Sequence, residues 1–370
     1  MRIGYLIGGL NTGGSERQLS ELAIGMTAQG HSVEIACYDG PGVLDAYVEA
    51  RGVVLRRMTA GSKIDKLRNV KKWIVTFNPD ILHGFMKRAS ALAVLANLPK
   101  RRRKVIASDL STAAYSRHKP VLWLALVLFH LADKVMTQTE VNKRSLIKLA
   151  PLLKRKVMII RNGVDSKRFY PASHNSRNVF QFLCVGSVTP LKNPLNVIEA
   201  ARILRDRNGQ SFRLHWCGRY DKSTTGKLSD LYRSAVDLIE RYRLQGTVSF
   251  QGEVSRIEKA YHSSDALLHA SHQEGIPNAV VEGMACGLPV VVSRVSDLPL
   301  LLERGRNGFL CDSNSASSIA TSMERMLKVQ ENERSAMGER SREMAVTWFG
   351  MDRFINEYER MYASMLSEKV

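Results

Sequence analysis

The chain has 370 residues, 44% hydrophobic and 24% charged, and its 54 Lys and Arg against 35 Asp and Glu give a formal net charge of +19. That length exceeds what one hydrophobic core usually supports, so two domains of ordinary size are expected, and the composition excludes a largely disordered chain. The charge calls for a polyanionic partner, which is either nucleic acid or an anionic lipid surface.

The first ten residues carry one positive charge and a short apolar run broken by glycines, so they read as a strand over 3–7 rather than a signal peptide. A glycine-rich loop follows, then Leu19, Leu22, Ala23 and Met26 at helical spacing, with Ser15 and Gln18 as a capping box and Gly30 as a stop. A second strand over 33–37 completes a βαβ unit. Glycines at 8, 9, 13 and 14 do not fit G-x-G-x-x-G, so the dinucleotide fingerprint is absent. The loop either admits a ligand against its backbone or is only a tight turn.

Further strands are expected over 53–56, 81–83, 105–108 and 134–137, alternating with helices in a doubly wound pattern. His83 and Asp109 then fall at or just beyond the carboxyl ends of strands, the edge where such sheets bind ligands, although a structural role fits a polar residue there as well. Basic residues cluster before position 120: Lys63, Lys66, Arg68, Lys71 and Lys72; Lys100 to Lys104; Arg117 and Lys119. The run over 121–132 is too short to cross a bilayer and apolar on every face. It is a buried helix or an interfacial one, and its all-round apolarity favours burial, so the basic clusters carry the argument for a membrane surface.

Near Asn162-Gly163 a strand ends in a turn, and a polar stretch over 173–178 follows. The boundary is placed there, giving domains 1–165 plus 350–370 and 166–349. A fresh series begins with a strand over 180–185, a loop to Lys192, Asn193 as N-cap and Pro194 at the first helical position. Lys192 thus stands at a helix mouth, where an ammonium could complete a phosphate site. Strands over 213–217, 248–251, 266–269 and 290–293 alternate with helices over 224–242 and 279–286, and Phe354, Tyr358, Met361 and Met365 mark a closing helix. The five cysteines show no metal-ligand or redox spacing and read as reduced core residues of a cytosolic protein; no metal site is visible.

The stretch from Ser271 to Ser293 is the candidate active site. Gly275 frees the backbone, Pro277 presets a helix entrance and Asn278 is the expected N-cap, so the following amides would face an anion. Glu282 falls one turn in, with Val281, Met284 and Ala285 packed, which would leave its carboxylate to bond a hydroxylated ligand. By chemistry alone, Glu274 and Glu282 could equally serve only the helix dipole.

Glu274-Gly-Ile-Pro-Asn-Ala-Val-Val-Glu282 resembles the signature of the retaining family 4 glycosyltransferases (glycosyl transferases group 1), two glutamates separated by seven residues. The run from Arg161 to Phe169 resembles the family's linker motif, Asn307-Gly-Phe-Leu310 a third, and Gly13-Gly14-Ser15-Glu16 also fits. The resemblance implies the GT-B architecture: α/β, with two doubly wound Rossmann-like domains facing across a cleft and a C-terminal helix crossing back to the first. Glu282 would bond the ribose and Glu274 the sugar and diphosphate. The turn through Gly275, Ile276, Pro277, Asn278, Ala279 and Val280 would approach sugar and phosphate with its backbone, Lys192 would neutralise the diphosphate, and Gly14 would let backbone close on the phosphates. Ser187 stands where the family has an arginine, a loss Arg219 would repair, and Ser108 stands where a histidine precedes the acceptor-side Asp109. Glu274, Lys192, Asp109 and His83 form the expected catalytic set.

The function so implied is transfer of a sugar, with retention, from a nucleotide-sugar donor to a lipid-linked or cell-envelope saccharide. It would take place at the cytoplasmic face of the membrane, on an anionic surface. No metal or cofactor is expected beyond the co-substrate, UDP-sugar being favoured over GDP-sugar, and no nucleic acid is expected as partner. A nucleotide-sugar epimerase of the same fold and a basic nucleic-acid-binding protein are the alternatives.

Overall fold

The computed structural model describes residues 1–58, 61–99, 103–110, 120–172, 178–208, 211–220 and 229–367. The basic residues at 100–102, 117 and 119, the polar stretch at 173–177 and the start of the helix expected at 224–242 lie outside them. The chain divides into two compact units, Met1–Gly163 with Met351–Val370, and Val164–Gly350.

In the first unit the order is β1 (Arg2–Ile7), α1 (Gly14–Ala28), β2 (Ser32–Cys37), α2 (Asp45–Glu49), β3 (Val54–Arg57), α3 (Lys63–Phe77), β4 (Ile81–Gly84), α4 (Lys87–Ala96), β5 (Lys104–Ser108), α5 (Pro120–Phe129), β6 (Lys134–Thr137), α6 (Glu140–Leu149) and β7 (Val157–Ile159). The strands pair in parallel in the order β3-β2-β1-β4-β5-β6-β7. Alternation sorts the side chains between two cores. Ile3, Tyr5, Ile81 and Ile106 join Leu19, Leu22 and Met26 of α1 on one face. Leu6, Leu82, Val105 and Ala107 meet Trp73, Ala93, Phe129 and Leu146 from α3 to α6 on the other.

The second unit runs β8 (Phe180–Val185), α7 (Pro194–Asn208), β9 (Phe212–Cys217), α8 (Asp230–Arg241), β10 (Val248–Gly252), α9 (Ile257–His262), β11 (Ala266–His269), α10 (Asn278–Ala285), β12 (Val290–Ser293), α11 (Leu298–Gly305), β13 (Gly308–Cys311), α12 (Ala316–Leu327) and α13 (Glu331–Phe349). Its strands are again parallel, in the order β10-β9-β8-β11-β12-β13. The last helix, α14 (Met351–Ser367), returns to the first unit, where Phe354, Tyr358, Met361 and Met365 join the core over α1. Gly25 permits that approach, since a Cβ there would lie 2.2 Å from Ile355 Cδ1.

Three local expectations are corrected. The Ser15–Gln18 capping box does not form: Gly13 is the N-cap of α1, without a side-chain bond. The buried Gln18 amide instead donates to the Gly163 carbonyl (2.9 Å) and accepts from its N–H (2.8 Å), because an enclosed amide needs both partners more than an exposed helix end needs a cap. On α10 the N-cap is Pro277, so Asn278 is the first helical residue rather than the cap. The 121–132 run is not wholly buried. Ala125, Leu126, Leu128, Phe129 and Ala132 face the core, while Trp123, Leu124, Val127 and Leu131 are exposed. A single helix laid on one face of a sheet can hide only one side of itself.

Candidate active site

In the second sheet the strand order reverses between β8 and β11, and the loops leaving their carboxyl ends meet at that switch point, where open α/β sheets bind ligands. The loop after β8 supplies Lys192, the end of a 3-10 turn over Pro190–Lys192. The loop after β11 supplies Glu274 and leads into α10. The two loops are tied to each other: Asn193, in a left-handed conformation, donates its side-chain amide to the carbonyls of Ala270 (3.1 Å) and Ser313 (2.7 Å), and the His272 N–H bonds the Leu191 carbonyl at 2.9 Å.

Lys192 Nζ lies 2.6 Å from Glu274 Oε1, and His269 Nε2, at the end of β11, lies 2.9 Å from the same oxygen. Ser271 Oγ is 3.0 Å from that imidazole nitrogen, and Ser293 Oγ donates to the Ser271 carbonyl at 2.6 Å. Burial by itself would raise the Glu274 carboxyl, but the hydrogen bond from His269 and the Lys192 ammonium outweigh it and hold the group well below the usual carboxylate range. Burial, then the Lys192 charge, pushes His269 down, so it serves as a neutral donor to an ionised Glu274. The cluster is therefore a carboxylate held by one cation and one neutral imidazole.

Lys192 is positioned by a close contact of backbones. Its Cε would stand 3.1 Å from a Cβ on Gly186, and a Cβ on Gly218 would lie 2.0 Å from the Gly186 carbonyl oxygen, so glycine at both positions lets the loops after β8 and β9 touch. The Val188 N–H bonds the Arg219 carbonyl at 3.0 Å, which brings exposed Arg219 beside the loop of half-buried Ser187 through its main chain.

Within the turn, Gly275, Asn278 and Ala279 are half-buried, while Ile276, Pro277 and Val280 are buried. Val280 corrects the expected run of ligand-facing amides: its N–H donates to the Pro277 carbonyl at 3.0 Å, a bond made available because the helix is capped one residue earlier than expected. Glu282 corrects another expectation. It is only 7% exposed, and Oε2 accepts from the hydroxyl of fully buried Tyr261 at 3.0 Å, so part of its hydrogen-bonding capacity is already committed. Tyr261 and His269 carried no sequence signal: neither stands at a motif spacing, and only the fold brings them to the two glutamates.

The first unit holds the remaining expected residues. Gly14 is exposed at the first position of α1. Asp109 follows β5, and its carboxylate lies 3.2 Å from Lys87 Nζ at the start of α4, with the two side chains 2% and 8% exposed. Lys87 was not anticipated, because twenty-one residues of chain lie between it and Asp109. His83 is fully enclosed. Its Nδ1 is 2.8 Å from the Tyr362 hydroxyl, its Nε2 is 2.7 Å from Ser108 Oγ, and burial pushes it down to about 3. The expected catalytic role of His83 is therefore corrected: a neutral ring with both nitrogens engaged and no exposed surface joins β4, β5 and α14 rather than meeting a substrate.

Two doubly wound parallel sheets, the second bearing a Lys–Glu–His cluster at its switch point, define the GT-B class of α/β protein. Residues 166–344 match the family described as glycosyl transferases group 1, and residues 12–168 that described as glycosyltransferase family 4; together the matches take in most of the chain, which belongs to this family. An Escherichia coli UDP-Gal:alpha-D-GlcNAc-diphosphoundecaprenol alpha-1,3-galactosyltransferase is 26% identical over 260 residues, 67% of this chain and 64% of that protein. A Bacillus anthracis N-acetyl-alpha-D-glucosaminyl L-malate synthase is 29% identical over 133 residues, 36% of this chain and 35% of that protein. In these two matches the chain spans 64% and 35% of the relative's length. The crystal structure of Anabaena HepE in complex with UDP and glucose shares the fold, with a TM-score of 0.84 at 18% identity, over 98% of this chain and 100% of that one.

Proposed function

We propose that this glycosyltransferase moves a sugar, with retention at the anomeric carbon, from a nucleoside diphosphate sugar to a lipid-linked or cell-envelope saccharide at the cytoplasmic membrane face. The observation that carries the reading is the Lys192–Glu274–His269 cluster at the switch point, on the loop that leads into α10 and its Glu282. UDP is the favoured nucleotide, supported by the UDP held in the HepE structure and by the UDP-Gal in the Escherichia coli relative's name, whose diphosphoundecaprenol acceptor also supports a lipid-linked substrate.

In this reading the bond between the anomeric carbon and the β-phosphate oxygen breaks and leaves a nucleoside diphosphate. The acceptor oxygen bonds the same face of that carbon, and its proton passes to the departing phosphate. The barrier lies in charge separation, so a fixed cation at the diphosphate lowers it most. Lys192 leaves Glu274 for the diphosphate as donor binds, and His269 keeps the buried carboxylate partnered. Glu274 then faces the sugar, Glu282 the ribose, and Asp109 the acceptor side. No metal takes part.

Thermal stabilisation by a panel of nucleotide sugars identifies the donor, since a ligand at about 100 times its dissociation constant adds about 2.7 kcal/mol. With that donor, Lys192→Ala and Glu282→Gln are expected to remove transfer from folded protein, while a chelator leaves it unchanged. Full transfer in both variants would refute the site. Interconversion of the donor's sugar without release of nucleoside diphosphate, read by mass spectrometry, would identify an epimerase instead.

A further inference from the structure

The outward side of α5 has no polar residue. Trp123, Leu124 and Val127 are 44%, 60% and 61% exposed and follow one another at helical spacing, and Leu131 in the turn after α5 is 38% exposed, while the opposite side fills the core. An exposed helix side of this kind carries a free-energy cost in water unless something covers it. The surroundings indicate what does. The Lys156 ammonium donates to the carbonyls of His130 (2.7 Å) and Ala132 (2.8 Å), which fixes the segment before β7 against the end of α5. That segment exposes Leu152 (83%) together with Lys154 and Arg155. Asp133 lies in the turn between α5 and β6, and its carboxylate is committed to the Val105 N–H at 2.7 Å, next in sequence to Lys104 at the start of β5 and Arg103 before it.

We propose that α5 and this basic edge form the surface on which the protein docks to an anionic lipid bilayer, α5 lying in the interface with Trp123, Leu124 and Val127 inserted. The proposal rests on the membrane clause of the function proposed above and names the face that performs it. A helix of ten residues is too short to cross the bilayer and suits an in-plane position, and no helix among the described residues is long and apolar enough to span one. Tryptophan favours the headgroup region. Charge selects lipid over a second copy of this chain: a two-fold contact would set Lys154 and Arg155 against their own copies on a protein of net charge +19, whereas anionic headgroups neutralise them.

The test is sedimentation of the full chain with vesicles of phosphatidylcholine alone or mixed with phosphatidylglycerol. Wild type is expected to bind the mixed vesicles only, to lose binding as salt rises, and to show a blue shift of Trp123 fluorescence on binding. The variant Trp123→Gln, Leu124→Gln, Val127→Gln should lose binding, and Lys154→Glu with Arg155→Glu should weaken it by at least about ten-fold. Both variants should keep donor-induced thermal stabilisation, which reports an intact second unit. Wild-type binding that both variants retain would overturn the proposal while leaving the membrane clause standing. Absence of wild-type binding to either vesicle would overturn both. A concentration-dependent dimer abolished by the triple variant, without vesicle binding, would make α5 a contact between copies and also overturn it.

Discussion

Acid should unfold the first unit through His83. In an unfolded chain a histidine titrates near pH 6.5, whereas here burial pushes His83 down to about 3, so below pH 6.5 the unfolded state takes up a proton that the folded state refuses. Because the folded value is the lower one, stability is present at neutral pH and lost as pH falls through that window. Between pH 7 and pH 5 the loss is about 2 kcal/mol, rising to about 4 kcal/mol near pH 3. Pulse proteolysis in urea at pH 7 and pH 5, with peptides of the first unit quantified by mass spectrometry, measures it. His83→Gln keeps hydrogen-bonding capacity toward Tyr362 and Ser108 but does not titrate, so it should lose about 2 kcal/mol less than wild type over the same interval. It should also retain transfer at neutral pH, since His83 has no route to a substrate. Equal acid losses in the two proteins would refute the linkage argument, and loss of transfer in a stably folded His83→Gln would restore His83 to the catalytic set.

His269→Leu removes one of the two partners of Glu274 and should lower kcat/KM about 10- to 100-fold, the worth of a hydrogen bond to a charged group, with His269→Asn recovering part of it; unchanged steady-state kinetics would remove its positioning role. Gly218→Ala forces a Cβ to within 2.0 Å of the Gly186 carbonyl oxygen, so the loop bearing Lys192 must move, with about 1–3 kcal/mol lost in thermal unfolding and a raised donor KM. The cysteines are buried, and burial pushes the thiols of Cys37, Cys286 and Cys311 up to about 12 and that of Cys217 up to about 11. A disulfide reagent should therefore label none of the five in the native protein and all of them in urea, and fast labelling of any native thiol would contradict this.

Much of the architecture was legible in the sequence because a parallel sheet covered on both sides writes itself as short apolar runs. The runs at Ile3, Ile81, Val105, Val290 and their neighbours became strands within a residue or two of expectation. Less legible was α13, because its buried face keeps helical spacing but places Gly338 and Ser341 between Met337 and Met344, among many charges. Glu274, Glu282 and Lys192 drew attention because a glycine, a proline and a strand end mark a turn at a helix mouth, but local chemistry left the two glutamates equally well explained by the helix dipole, and the family resemblance made the choice.

Local chemistry, then, determined the strand–helix alternation and the presence of two α/β units, since these follow from patterns a few residues long. Only the tertiary structure decided what those residues meet. It set His269 on Glu274, Tyr261 on Glu282 and Lys87 on Asp109, enclosed His83, and left one side of α5 in water. Tyr261 and Glu282, and Lys87 and Asp109, are brought together from separate segments, His269 meets Glu274 only through the path of the loop after β11, and the rest is a question of which surface a neighbour covers; spacing along the sequence carries none of these.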